Sequence, residues 1–73
     1  MFPTKHPQFN AFYKQAEVFV KDHAENKDKT SLRLAAFACG RLVGYHMAIT
    51  KNDPEACAAM DVLEVEAIKA GVQ

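Results

Sequence analysis

His6, His23, His46, Cys39, Cys57, the single serine Ser31 and a set of carboxylates are the residues of this chain whose chemistry could be put to use. A zinc site would need several of the His, Cys and acidic side chains within ~2.0–2.3 Å of one ion. No Cys-x-x-Cys or Glu-x-x-His spacing supplies that. Cys39 and His46 on one helix would lie about 10.5 Å apart along its axis, too far to share a cation. No metal and no cofactor is therefore expected. Nucleophilic catalysis would need a base beside Ser31 or a thiol, or a carboxylate pair in apolar surroundings. Ser31 sits where a helix start would use it as a cap, and Asp61, Glu64 and Glu66 read as a solvated helix face. No glycine loop is followed by Lys-Ser/Thr to cradle a phosphate. A chain of 73 residues also struggles to enclose a substrate pocket of ~300 Å³. The expectation is a non-enzyme with no small-molecule substrate.

Such a chain has room for one domain, and its 49% hydrophobic and 25% charged residues are those of a folded protein. The two cysteines make a poor disulfide framework, and "MFPTKHPQF" is no apolar leader. Both thiols are expected reduced and buried, in a cytoplasmic protein. Residues 31–50 have the length of a membrane span, but Arg33 and Arg41 within them would each cost about 2.5–3.5 kcal/mol near a bilayer centre. A soluble helix is expected there, with no membrane contact.

The elements that must carry these residues are helical. After a flexible arm over 1–6, Phe9, Phe12, Ala16, Phe19, Val20 and His23 recur at spacings of three and four, which predicts an amphipathic helix over about 7–27. Phe9, Phe12 and Phe19 share its inner face; Tyr13 falls at the margin with its hydroxyl in water. His23 is expected at the core edge with a hydrogen-bond partner. "ENKDKTS" breaks the pattern, and a second helix spans about 31–51. Asp53 as cap, Pro54 at the first position and Glu55 in the first turn open a third, over about 54–70, which Gly71 ends. Its apolar face runs through Ala56, Met60, Leu63, Ala67 and Ala70. No segment alternates as a strand does. The fold class is all-α: a small bundle of about three helices, a helical hairpin plus a third helix, forming a single domain over 1–73.

"AAFACGRLVGYHMA" poses the functional question. On a wheel of 100° per residue, Leu34, Tyr45, Ala38, Ile49, Leu42, Ala35, Cys39, Leu32 and Val43 fill the core arc. Gly40 and Gly44 fall opposite, in a stripe Ala36–Gly40–Gly44–Ala48 flanked by Arg33, Phe37 and Arg41. An exposed helical glycine costs about 0.8–1.0 kcal/mol relative to alanine. Three arrangements account for the pair. The helix breaks near Gly40, another helix of the same chain covers the stripe, or a second chain packs into it.

The last reading assigns Arg33, Ala36, Phe37, Gly40, Arg41, Gly44 and Ala48 to partner binding, with Asp61 and Glu64 as rim partners of the arginines. It describes a small accessory or regulatory protein that binds another protein or a second copy of itself, a plan common in phages and mobile elements. Charge is uneven: residues 1–51 carry eight basic and four acidic side chains, residues 52–73 one and five, so the acidic third helix either lies against the basic remainder, the reading preferred, or presents a negative face to a partner. The alternative is a small DNA-binding regulator using the basic side of the second helix. Ala36-x-x-x-Gly40 resembles the alanine and glycine of a helix-turn-helix, but Arg41 and His46 then fall where that motif buries apolar residues, and net charge is zero. Nucleic acid is the less expected partner. A structural subunit of a larger complex is the third option.

Overall fold

Proline opens two of the three helices. The computed structural model describes residues 4–73. In it α1 runs Pro7–Asn26, α2 Lys29–Tyr45 and α3 Pro54–Ala70, with α2 continued by one π-helical stretch, His46–Thr50. Pro7 and Pro54 stand in first turns, where the missing N–H is no loss. The described residues form a small all-α bundle without strands. No described helix is long and apolar enough to cross a membrane.

Of the arm expected over 1–6, residues 1–3 lie outside the described residues, and the rest is tied down. Thr4 Oγ1 donates to Asn10 Oδ1 at 2.6 Å, and Asn10 Nδ2 donates to the Thr4 carbonyl at 2.9 Å. His6 Nε2 lies 3.3 Å from Asp53 Oδ2, joining the start of α1 to the start of α3.

The α1–α2 turn is two residues long. Lys27 takes the left-handed conformation (φ 57°) that ends α1, and Asp28 caps α2 by accepting from Ser31 N at 2.7 Å. The cap is thus Asp28 rather than Ser31, and α2 begins two residues earlier than the pattern predicts. Ser31 is instead buried: its hydroxyl donates to the Asp28 carbonyl at 3.1 Å and meets His23 Nδ1 at 2.8 Å. With the serine proton on the carbonyl, the imidazole donates from Nδ1. This is the partner expected for His23, which is only 7% exposed.

Hydrogen bonding from the Ser31 backbone N–H holds the Asp28 carboxyl below its ordinary 3.8. A depressed folded-state value stabilises the fold above the unfolded-state value and fades as pH falls through the folded one. Urea midpoints measured from about pH 5 to about pH 2 should therefore drop, and Asp28→Asn, which keeps a neutral cap, should flatten the part of that drop due to Asp28. An unchanged slope in the variant would remove Asp28 from the acid response.

α1 packs along both other helices, whereas α2 and α3 meet each other little. That position broadens the buried face of α1. Phe9, Tyr13, Ala16, Val20 and His23 are buried, while Phe12 and Phe19 pack half-buried at the flanks. Tyr13, expected at the wet margin, is 8% exposed, and burial together with Glu17 and Glu66 raises its phenol above the ordinary range. α3 contributes Ala56, Ala59, Leu63 and Ala67, with Met60 and Ala70 half-buried. Asp53 caps it by accepting from Glu55 N, and Gly71 ends it at φ 84°, as the sequence predicts. Glu66 departs from the expected solvated face: it is half-buried and its Oε1 has no hydrogen-bond partner among the described residues.

α2 gives the core Ser31, Ala35, Ala38 and Leu42. Continuing in α phase from Leu42 would bury Ile49. The π turn takes more residues per revolution, so Thr50 arrives at the core in its place, 1% exposed, and Ile49 is left 59% exposed. Thr50 Oγ1 is satisfied at 2.8 Å by His46 Nδ1. Ile49 is therefore no core residue, and neither are Leu34 and Val43, which are exposed on the flanks of α2. The small Ala35 and Ala38 bring α1 so close that only a narrow strip of α2 is covered.

Candidate functional site

α2 is unbroken through Gly40, so the glycines do not end a helix, and no helix-turn-helix bend exists there. Nor does any other described residue cover them. A Cβ built on Gly40 or Gly44 meets nothing within 4 Å. Two of the three arrangements open to the sequence are thereby removed, leaving a bare, uninterrupted backbone stripe on the surface.

All seven residues assigned to partner binding are exposed, but they do not form one line. Ala36, Phe37, Gly40 and Gly44 share the outer face of α2, with Phe37 69% exposed. Ala48 is exposed in the π turn, whose wider winding swings it away from the α-helical row. Arg41 turns back toward α1: its guanidinium donates to Gln15 Oε1 and lies over the rings of Phe12, at 5.0 Å, and Phe37, at 5.6 Å. It works as a clamp between helices and as a platform for Phe37. Arg33 remains outward with no ion pair among the described residues.

Three features went unread in the sequence. Because α2 and α3 diverge, a groove of about 300 Å³ opens between them, with Leu63 and Ala67 of the core in its floor and Val43, Met47, Asp61 and Glu64 in its walls. The outer face of α3 carries Val62, Val65 and Ile68, all exposed. That signal was available: the third helix lacks a continuous polar side, and a helix apolar around its circumference has more than one face to cover. Ile49 is exposed beside Met47 only because of the π turn.

The chemical groups gather little. His46 Nε2 lies 3.9 Å from Cys57 Sγ, but that thiol donates to the Lys51 carbonyl at 3.3 Å. Both thiols are unpaired, and burial raises that of Cys39, keeping it protonated. Among the described residues no three His, Cys, Asp or Glu side chains converge as a metal ion would require. What the surface offers is apolar area and a bare backbone. No protein family, no curated protein and no solved structure matches the chain.

Proposed function

We propose that this protein is a non-enzymatic helical module that acts by binding another polypeptide through the outer face of α2, and that it self-associates there. One observation carries the reading. Nine large apolar side chains stand exposed among the described residues, five of them (Leu34, Phe37, Val43, Met47 and Ile49) on α2 and its π turn around the open glycines. Large apolar side chains left exposed together on one element mark interaction sites more often than singly scattered ones do. Aromatic and arginine side chains at the centre of such a group are the usual anchors of protein interfaces.

Sedimentation equilibrium over a wide concentration range tests it. The mass should rise from the 8.1 kDa of one chain toward a multiple of it. A single-chain mass at every concentration would end the self-association reading. Duplex DNA added at low salt should leave the mass unchanged, whereas a DNA-binding regulator would bind with strong salt dependence.

A further inference from the structure

We infer that the partner is a second copy of this chain joined head to tail, with Phe37 of one copy seated in the groove between α2 and α3 of the next. The inference rests on the self-association reading above and specifies its contact. Each chain carries a knob. Phe37 stands 69% exposed on α2, with Arg33 one turn before it and Arg41 one turn after, the latter stacked on its ring. Beside it the outer face is bare, since nothing lies within 4 Å of a Cβ added at Gly40 or Gly44. Low ground around the ring lets the walls of a groove close over it. Each chain also carries a socket, the groove with Leu63 and Ala67 in its floor and Asp61 and Glu64 in its walls. A cavity of about 300 Å³ accommodates an aromatic side chain. Arg33, Asp61 and Glu64 are all exposed, and none has an ion pair among the described residues. The knob is thus aromatic and positively flanked, the socket apolar and negatively flanked. That complementarity selects a second copy as the occupant.

Knob and socket face different neighbours. At 100° per residue, Phe37 and Val43 of the socket wall point about 120° apart around α2, on either side of the line through Gly40 and Gly44. A two-fold that lays α2 antiparallel on its copy sets each flank against the same flank, so Phe37 stays on the side away from the partner's groove. A two-fold that keeps the helices parallel sets Phe37 level with its own copy, about 9 Å along the axis from Val43. Neither brings the ring to the socket. The contact is therefore heterologous: each copy gives its knob to one neighbour and its socket to another. Repeated, it adds chains until a ring closes, or continues as a filament.

The test is sedimentation equilibrium of the full chain and of variants at exposed positions, with circular dichroism as the check on folding. The wild type should pass beyond two chains as concentration rises. Phe37→Ala, which removes the knob, should weaken association by at least about 30-fold, the effect of losing an interface anchor. Val43→Arg, which blocks the socket and leaves the knob intact, should do the same and serves as the second handle should Phe37→Ala unfold. An equal mixture of the two variants should recover wild-type affinity yet stop at two chains, because one brings only a socket and the other only a knob. Arg33→Glu, which turns a like charge toward the socket carboxylates, should also weaken the assembly. An Arg33→Glu variant as tight as wild type would overturn the choice of occupant. If the wild type associates and both Phe37→Ala and Val43→Arg keep its affinity within about threefold, or if their mixture stays monomeric, the seating of Phe37 is wrong although self-association stands. A wild type that stops at two chains overturns it in the same way, because an unreciprocated contact does not close there. A wild type that stays monomeric overturns this inference and the self-association reading together.

Discussion

Phe9→Ala should unfold about half of the protein at 25 °C. Phe9 is fully buried, with its ring centroid 6.1 Å from that of Tyr13 and 6.0 Å from that of His46, so it bridges α1 and the end of α2. Truncating a buried phenylalanine costs about 3–5 kcal/mol through lost transfer energy and the cavity left behind. The core of a domain this small supplies about 3–5 kcal/mol in all. The two figures meet, leaving a net stability near zero, so about half of the helical circular dichroism at 25 °C should be lost. Val18→Ala, at an exposed position on the same helix, should stay within about 0.5 kcal/mol of wild type. Both belong at low concentration, since a dimer would stabilise the fold by mass action. A cooperative urea transition for Phe9→Ala at the wild-type midpoint would mean that the core lies elsewhere.

Replacing Gly40 and Gly44 together by alanine should move two quantities in opposite directions. With nothing within 4 Å of either added Cβ, the isolated chain should gain about 0.8–1.0 kcal/mol per site from helix propensity alone. Thermal unfolding at low concentration reads that gain directly. In the proposed association, however, the outer face of α2 that bears both glycines is the contact. Methyl groups forced into a packed contact cost about 1–3 kcal/mol in strain. The double variant should therefore unfold at higher temperature as a monomer and associate more weakly. A gain in stability with association unchanged would show that the glycines serve no contact. A loss of monomer stability would contradict the open space around them.

The ends of helices were the most legible parts of the chain. Asp53, Pro54 and Glu55 open α3 and Gly71 closes it because caps are local chemistry, settled within a few residues. The start of α2 was less legible. Asp28 and Ser31 can both cap, and the choice turns on His23, eight residues before Ser31, which draws the serine inside. The face of α1 was misread at Tyr13 because a wheel assumes one partner, while α1 lies between two and buries a wider arc. The π turn could not be read from periodicity at all. Ile49 has the hydrophobicity to be buried, yet Thr50 takes the place because His46 satisfies its hydroxyl. Of the candidate site, the glycines and Phe37 were visible as violations of local rules. The groove opposite them was not, since it exists only where two helices diverge.

The π turn has a bearing on what lengths this chain can tolerate. A helix wound with extra residues in one revolution holds slack that an α-helix lacks. Losing one residue between His46 and Thr50 would draw that slack out and leave the path from Tyr45 to the α3 cap nearly as long as before. Losing one between Lys29 and Tyr45, where no slack exists, would turn every later side chain by about 100°. Within a single continuous rod, then, one end is open to changes in length and the other is fixed. The fixed end bears Phe37 and both glycines, whose bearing toward a neighbour depends on keeping count.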